Sequence, residues 1–439
     1  MVVFSNITLY TLNRIFSESV IVTLNEITLK KNSHHEITNK NRIEPSMNYK
    51  HNQQRDLSEE CGNLNYWAKK LFSYNKIYDQ KGSENLFLES IKESILHHKE
   101  NCQMYKDLLK SENFDVECLK SINDLYKIPT IPANFLKYHE VLSVKKEDII
   151  VNATSSGTLG QKSQVFLDKN TIKLATKMVI KMMRYHKMIS LIPTNYFILG
   201  YEPIEGIEMG NVQLAQAMTR FAPTKEKVYA LRPVGGRYEI DYFGIINGLK
   251  RFNRQKLPVR IMGFPSYLYM IMKTMKDAGM KPLKLNKRSI VLTGGGWKKY
   301  DDLMIDKTEY YQMIEEYLGI PAENCRDFYS AVEHSVAYPE CKNHHMHVPI
   351  WSRVIVRDPL TLEPIGYNEP GFLNFVSPLV SSQPISSILM GDLGVLRDGK
   401  NCGCGIETPY FEVLGRAGTA KVRSCAVAAN EYIKGDQNG

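Results

Sequence analysis

From Ile149 onward the sequence alternates short apolar runs with segments of helical period. The apolar runs read NYFILGY at 195–201, PVRIMGF at 258–264 and SIVLTGGG at 289–296, whereas PSYLYMIMKTMKDAG at 265–279 repeats apolar residues at three- and four-residue spacing. Alternation of strand-like and helical segments is typical of an α/β fold with a largely parallel sheet. The sequence therefore predicts that class for most of the chain.

The region before this alternation divides into two parts. Residues 1–46 have no helical period and no clear strand pairing, and Met47 offers a second possible start, so they are interpreted either as an over-extended reading frame or as a loosely held extension. Residues 56–125 have a helical pattern, which ends before the prolines at 129 and 132. We expect an uncertain extension at 1–46, a helical lead-in at 47–127 and the main domain at 128–439.

Composition and charge exclude several classes of protein. The 439 residues are 43% apolar and 23% charged, which is ordinary for a globular chain and excludes a disordered, collagen-like or disulfide-dense protein. The net charge of +9 suits an anionic small ligand as well as nucleic acid. No apolar run is long enough for a membrane span, and the N-terminus does not resemble a signal peptide. We therefore expect a cytoplasmic protein with reduced cysteines and no membrane span. The charge does not decide between the two kinds of anion, and our prediction is a small-molecule ligand with no nucleic-acid partner.

A loop rich in glycine and hydroxyl side chains follows the strand-like residues 148–152. It reads TSSGTLGQKS at 154–163. Backbone N–H groups, hydroxyls and a lysine in such a loop can converge on phosphate oxygens. The spacing from Gly157 to Lys162 is not that of the nucleoside-triphosphatase P-loop. An ordinary Ser/Gly loop is the alternative that the residues alone leave open.

The same loop closely resembles the phosphate-binding loop of the adenylate-forming enzymes, which join a carboxylate to the α-phosphate of ATP. Leu159 replaces a hydroxyl residue of the family pattern, and Lys162 comes one residue early. Four later segments match further family motifs in the same order over about 260 residues: LTGGGW at 292–297, FYSAVE at 328–333, MGDL at 390–393 and LGR at 414–416. The resemblance implies the family fold, a large α/β domain of stacked mixed sheets flanked by helices.

The resemblance also implies roles for individual residues. Tyr329 would stack on adenine, Glu333 would ligate Mg²⁺, Asp392 would accept hydrogen bonds from the ribose hydroxyls, and Arg416 would meet the ribose–phosphate side. The residues implied to bind ATP are Thr154, Ser155, Ser156, Gly157, Thr158, Gly160, Lys162, Gly294, Gly295, Gly296, Tyr329, Glu333, Asp392 and Arg416. Lys162 and Mg²⁺ would offset the repulsion between the carboxylate and the triphosphate. Ser330, Val332 and Gly418 depart from the family pattern and give some weight to a non-catalytic nucleotide-binding subunit.

The C-terminal segment is similar to one branch of this superfamily. Only 23 residues follow Arg416, whereas typical members continue for about a hundred more. The tail resembles the acyl-protein synthetase family (LuxE-type), whose members lack most of the C-terminal domain and transfer the acyl group to a cysteine near the C-terminus. By this resemblance Cys425 is the acylated nucleophile, and Lys421 and Arg423 are near enough in sequence to lower its pKa. The alternative is that Cys425 is a packing residue of the apolar run CAVAA.

A zinc site is predicted from four separated residues. Cys341 and His347 have five residues between them, and Cys402-Gly403-Cys404 supplies two further sulfurs. Three cysteines and one histidine are a common closed set for structural zinc. Phenylacetate-CoA-ligase-like relatives have a similar arrangement between the same motifs. His344 and His345 are the rival histidines, and four unligated loop residues are the alternative.

Together these features predict ATP-dependent activation of a carboxylic acid, a long-chain fatty acid by family resemblance. The acyl group would pass to Cys425 and then to a partner protein of the acyl-CoA-reductase type. An acyl- or aryl-CoA ligase and a non-catalytic subunit are the alternatives. His334 is placed either near the substrate or in the core. The stripe of Tyr267, Met270, Ile271 and Met275 is interpreted either as an acyl pocket or, more commonly for such a stripe, as core packing.

Overall fold

The computed structural model describes residues 65–154, 162–204 and 210–417. Within these ranges the α-helices are α1 Tyr66–Ser73, α2 Glu84–Asn101, α3 Gln103–Ser111, α4 Lys169–Tyr185, α5 Gly210–Met218, α6 Tyr242–Gln255, α7 Pro265–Asp277 and α8 Lys307–Leu318. The strands are β1 Ile131–Pro132, β2 Ile149–Thr154, β3 Gln164–Asp168, β4 Thr194–Tyr201, β5 Thr224–Val234, β6 Arg237–Ile240, β7 Val259–Gly263, β8 Ile290–Gly294, β9 Cys325–Ala331, β10 His334–Pro339, β11 Met346–His347, β12 Arg353–Arg357, β13 Pro364–Ile365, β14 Pro370–Val376, β15 Ser387–Arg397 and β16 Tyr410–Arg416.

The alternating region forms a seven-stranded sheet in the order β10-β9-β8-β7-β4-β5-β6. The inner strands β5, β4, β7, β8 and β9 are parallel, and β6 and β10 are antiparallel to their neighbours. Helices connect the parallel strands because such strands need a crossover that returns the chain to the same edge. The α/β class predicted from the sequence is therefore confirmed.

A second seven-stranded sheet follows in the chain. Its order is β11-β16-β15-β14-β12-β13, all antiparallel, and the short strand β1 adds to β15 in parallel. The largely parallel sheet expected from the alternation describes only the first sheet, because this later region has no helical crossovers. A separate hairpin of β2 and β3 completes the described strands.

The helical lead-in packs into the same core as the sheets. Within the helical region expected at 56–125, α2 and α3 are separated at Cys102, where the backbone becomes extended with φ −132° and ψ 107°. Phe72 of α1 stacks on Trp351 with ring centroids 5.8 Å apart, and both side chains are fully buried. The first three helices therefore share one apolar core with both large sheets.

In the described ranges, every helix is either too short or too polar to span a lipid bilayer.

Candidate functional site

The carboxyl ends of β8 and β9 lie side by side at one edge of the parallel sheet. Gly294, the last residue of β8, is paired in register with Phe328 of β9. Gly295 and Gly296 follow with φ of 81° and 69°, values that glycine adopts without the penalty of a side chain. Among the described residues, no heavy atom would lie within 4 Å of a Cβ atom on Gly296, so this part of the structure leaves space beside the turn. The carboxyl edge of a parallel sheet is the usual place for a ligand in open α/β folds.

Three residues predicted to bind nucleotide meet at the junction of the two large sheets. The hydroxyl of Tyr329 donates to Oδ2 of Asp392 at 3.0 Å, and Nε of Arg416 donates to Oδ1 of the same carboxylate at 3.3 Å. Asp392 and Arg416 are paired in register on β15 and β16, whereas Tyr329 comes from β9 of the other sheet. Burial and the adjacent carboxylate raise the pKa of Tyr329 well above its usual range, so this hydroxyl keeps its proton.

Glu333 lies in the turn between β9 and β10, four residues after Tyr329. The residue is 9% exposed, and within the described ranges no Lys, Arg or His side chain forms an ion pair with it. A nearly buried carboxylate without a protein cation is a suitable oxygen ligand for a metal ion. The residue present therefore fits the predicted magnesium role.

The predicted phosphate-binding loop is described only at its two ends. Thr154 ends β2 and pairs with Gln164 of β3, and Lys162 is exposed just before that strand. The hairpin is tied to the segment before β15, because the backbone N–H of Phe166 donates to the side-chain oxygen of Gln383 at 2.8 Å. Ser155, Ser156, Gly157, Thr158, Gly160 and the proposed nucleophile Cys425 lie outside the described residues.

An apolar cavity opens at the same carboxyl edge. The space between its walls is about 700 Å³, counting the part that is open to solvent. The cavity is lined by β4, α5, β7, β8 and β9, at Ile198, Leu199, Gly200, Tyr201, Val212, Ala215, Met218, Met262, Gly263, Phe264, Leu292, Thr293, Phe328 and Ser330. Phe328 and Ser330 line the cavity, whereas Tyr329 between them contacts Asp392. Successive side chains of a strand point to opposite faces of the sheet, so β9 contacts the cavity on one face and Asp392 on the other.

Sequence reasoning missed this cavity. The stripe on α7 proves to be core packing, since Tyr267, Ile271 and Met275 are buried in an apolar cluster and are absent from the cavity lining. The lining residues have no common motif or period, because they come from the ends of separate strands. The signal in the sequence that could have indicated the cavity is that many of its lining residues lie at the carboxyl ends of predicted parallel strands.

His334 belongs to the core. It is 3% exposed, and its Nε2 lies 2.7 Å from the hydroxyl of Tyr338. Burial lowers the pKa of His334 to about 3, so the ring is neutral at physiological pH. Its ring also stacks on Phe375 with centroids 4.6 Å apart. These contacts support the structural interpretation of this histidine over a substrate contact.

The structure brings the four predicted zinc ligands together. One donor atom from each of Cys341, His347, Cys402 and Cys404 lies within 4.8 Å of all the others. The sulfurs of Cys341 and Cys402 are 3.5 Å apart, and Sγ of Cys404 is 3.3 Å from Nε2 of His347. Backbone N–H groups of Asn343 and Ile406 donate to the sulfurs of Cys341 and Cys404, each at 3.3 Å. These sulfurs converge on one point without forming a disulfide.

The donor set fits a tetrahedral metal ion. Nδ1 of His347 is 2.7 Å from the carbonyl oxygen of Thr408 and donates to it, which leaves Nε2 free as an acceptor directed at the sulfurs. Burial and the neighbouring sulfurs raise the pKa of the Cys402 thiol, so the thiolate form of Cys402 needs a cation beside it. His345 is the nearer rival, with Nδ1 3.1 Å from Sγ of Cys402, whereas His344 faces Glu340.

A buried carboxylate, that of Glu340, precedes Cys341 in the chain and is held by several hydrogen bonds. Glu340 is fully buried and accepts hydrogen bonds from Lys307, from the hydroxyl of Tyr311 at 3.2 Å and from the backbone N–H of Asp327 at 2.9 Å. Burial and the charge of Glu340 raise the pKa of Asp327 to about 7. This network fixes the end of β10, directly before Cys341.

The fold is that of the large domain of adenylate-forming ligases. The solved structure of 2-hydroxyisobutyryl-CoA ligase with 2-HIB-AMP is similar over 78% of this chain and 70% of that chain, with a TM-score of 0.56 at 16% identity. This likeness confirms the predicted fold.

The sequence comparisons narrow the class. The model of the family "Acyl-protein synthetase, LuxE" matches residues 58–434, and the chain belongs to that family. The long-chain-fatty-acid–luciferin-component ligase of Aliivibrio fischeri is 24% identical over 357 residues, 78% of this chain and 88% of that protein. The phenylacetate-coenzyme A ligase of Thermus thermophilus is 23% identical over 340 residues, 75% of this chain and 69% of that protein. The resemblance stated from the motifs is thereby confirmed.

Proposed function

We propose that this protein uses ATP to activate a carboxylic acid, in particular a long-chain fatty acid, as an acyl adenylate. The acyl group then passes to Cys425 and on to an acceptor protein of the acyl-CoA-reductase type. The observation that carries the proposal is the apolar cavity beside the contact between Tyr329 and Asp392. At this edge of the sheet an apolar chain could bind in the cavity and a nucleotide could bind next to it. The family membership and the ligase names of the relatives support the same chemistry.

The two substrates would meet across β9. Phe328 and Ser330 line the apolar cavity, and Tyr329 between them contacts Asp392 on the other side. An alkyl chain gains about 0.8 kcal/mol for each methylene that leaves water, so an apolar cavity favours long acids over short ones. In this arrangement the carboxylate of the acid would lie near the open turn at Gly295 and Gly296.

In the first half-reaction a carboxylate oxygen attacks the α-phosphorus of ATP, the bond to the β-phosphate oxygen breaks, and pyrophosphate leaves. No side-chain base is needed, because the carboxylate is already ionised at neutral pH. Magnesium held by Glu333 would supply positive charge to the triphosphate. Lys162 and Arg416 add fixed positive charge, and Asp392 orients the ribose.

In the second half-reaction the thiolate of Cys425 attacks the acyl carbon, and AMP leaves with the electrons of the broken C–O bond. A thioester forms, which keeps the acyl group reactive towards a further acceptor. Lys421 and Arg423 are close to the cysteine in sequence and favour the thiolate. This step is the one that distinguishes an acyl-protein synthetase from a CoA ligase.

Zinc on Cys341, His347, Cys402 and Cys404 would be structural. Four protein ligands leave no open position for substrate, so this centre would do no chemistry. Cys341 and His347 follow β10, which pairs with the strand β9 that carries Tyr329. Cys402 and Cys404 lie in the connection that follows β15, the strand that carries Asp392. A metal at this point would therefore hold the two halves of the nucleotide site in register.

The test is intact-protein mass spectrometry after incubation with ATP, Mg²⁺ and a panel of fatty acids, followed by peptide mapping. We expect a hydroxylamine-labile acyl adduct on Cys425. Cys425→Ser should lose the adduct and keep ATP–pyrophosphate exchange. Cys118→Ser is the matched control, since Cys118 is a half-buried thiol outside the metal cluster, and this variant should keep both activities.

Other results would select the alternatives. Exchange without an adduct, together with full thioester formation on added coenzyme A, would identify an acyl- or aryl-CoA ligase and return Cys425 to a packing role. Binding of ATP without exchange for any acid would identify a non-catalytic subunit.

A further inference from the structure

A second, larger cavity lies at the opposite edge of the parallel sheet. It encloses about 1,500 Å³, counting the part that is open to solvent. Thr194, Pro258 and Ile290 line it where β4, β7 and β8 begin, whereas the apolar cavity lies where these strands end. We call it the amino-edge cleft. It is separate from the nucleotide and acyl sites described above.

The cleft is strongly cationic. Its lining includes Lys187, Arg260, Lys287, Arg288, Arg326 and Lys342, and the one carboxylate in the lining is that of the exposed residue Glu323. In the part of the chain that the structure describes, none of these six cations forms an ion pair with a carboxylate within 4.0 Å. Six positive charges around one concave surface outnumber the single carboxylate of its lining and attract anions, because low-dielectric walls focus the field.

Two of these cations are guanidinium groups withdrawn from solvent. Arg260 is 5% exposed and donates to the carbonyl oxygen of Met188, and burial lowers the pKa of Arg260. Arg326 donates from one terminal nitrogen to the carbonyl of Cys325 at 2.8 Å, while its buried Nε has no hydrogen-bond partner. Burying a guanidinium charge is costly, and the charge of Glu340 offsets only part of that cost at Arg326, so an anionic ligand would stabilise both positions.

The geometry points to a site for a small molecule that carries two or more phosphate groups. Guanidinium forks match phosphate oxygens in bidentate geometry, and the lysines at the rim add further charge for a second phosphate. A single carboxylate would leave most of the six cations unpaired. The concave shape and the volume suit a nucleotide-sized molecule or pyrophosphate rather than a flat macromolecular surface.

The cleft is connected to the apolar cavity through one strand. β8 begins at Ile290 in the cleft and ends at Gly294 beside the nucleotide site, and Leu292 between them lines both cavities. An occupant of the cleft would therefore contact the strand that also forms the wall of the acyl site. Binding in the cleft is expected to change the rate of ATP–pyrophosphate exchange with a fatty acid.

The test uses the full chain, with inorganic pyrophosphate and adenosine 3′,5′-bisphosphate as probes. Hydrogen–deuterium exchange distinguishes the two sites, since peptides around residues 187–190 and 286–290 report on the cleft and peptides around 294–297 on the nucleotide edge. We expect saturable protection of the cleft peptides by at least one probe. The probe that binds tighter shows whether the phosphate comes from a nucleotide or from the inorganic anion.

Charge reversal identifies the cations that matter. The pair Lys287→Glu and Arg288→Glu changes two exposed side chains of the cleft and should weaken protection at least about tenfold. The pair Lys273→Glu and Lys276→Glu on α7 changes the net charge equally outside the cleft lining and should leave binding unchanged.

Three outcomes would overturn the proposal. The first is the absence of protection at the cleft peptides with both probes at millimolar concentration. The second is equal weakening in both charge-reversal pairs, which would mean that only net charge matters. The third is protection by a single-stranded RNA oligomer with none by either small probe.

Discussion

Replacing Asp392 by Asn tests the proposed nucleotide site at its centre. The carboxylate is 11% exposed, accepts from Tyr329 at 3.0 Å and lies 3.3 Å from Nε of Arg416. Arg416 is 67% exposed, and an ion pair with such a partner contributes about 0–1 kcal/mol to folding. The Asn side chain has the same shape as Asp and keeps one oxygen that can accept hydrogen bonds. The folded protein should therefore lose little stability, and any large effect must come from the lost nucleotide contacts.

The expected loss follows from the chemistry of the ribose contact. A hydrogen bond to a charged group contributes about 1.5–3 kcal/mol, and a neutral one about 0.5–1.5 kcal/mol. Two ribose hydroxyls donating to Asn in place of Asp would then lose about 2–3 kcal/mol of transition-state stabilisation in total. This corresponds to a roughly 30- to 150-fold lower kcat/KM for ATP, measured by pyrophosphate exchange.

Tyr329→Phe is the matched control. It removes the hydroxyl that donates to Asp392 and keeps the aromatic ring, which stacks on Phe375 with centroids 5.6 Å apart. Its kcat/KM for ATP should fall by less than about tenfold, because the charge on Asp392 and the ring both remain. Wild-type exchange kinetics in Asp392→Asn would refute the assignment of Asp392 to the ribose. A loss of exchange that follows a large drop in Tm would show instead that the residue acts through folding.

Three further predictions concern the metal, the acyl cavity and pH. Elemental analysis should find one zinc per chain in the wild type and in His345→Asn but much less in Cys404→Ser; equal loss in both variants would indicate a different ligand set. Ala215→Trp narrows the apolar cavity and should shift the preferred fatty acid to a shorter chain, with each excluded methylene lowering kcat/KM about fourfold; an unchanged chain-length profile would place the acid elsewhere. Burial lowers the pKa of His98 and of His334 to about 3. Because both values lie below the unfolded value of 6.5, the unfolded chain binds more protons as the pH falls from 6.5 to 3, and each histidine should then cost up to about 1.4 kcal/mol of unfolding free energy per pH unit. Urea unfolding at pH 7 and pH 5 measures this loss, and His334→Gln should reduce the slope.

The fold class and the nucleotide motifs could be predicted from the sequence because both are local signals. The alternation of apolar runs with the helical repeat of α7 depends on residues within a few positions of one another. The motifs that contain Tyr329, Asp392 and Arg416 are likewise contiguous segments. The four members of the cysteine–histidine cluster were predicted from their spacing, since C-x-C is short enough to act as one unit.

The sequence does not show which segments that are far apart in the chain come into contact in the fold. Tyr329 and Asp392 are 63 positions apart on different sheets, and their hydrogen bond depends on how the sheets pack. The choice between His345 and His347 depends on the direction of two rings, which the carbonyl of Thr408 helps to set.

The sequence by itself determined the class of fold, the family and the residue types of the proposed nucleotide and metal sites, because each is encoded in short contiguous patterns. Only the tertiary structure decided where the apolar cavity opens, that the α7 stripe is core, and that Arg260 and Arg326 line one cleft. Those features arise where the ends of separate strands converge. Contacts between distant strands are set by the packing of whole sheets, and no local period or spacing records them.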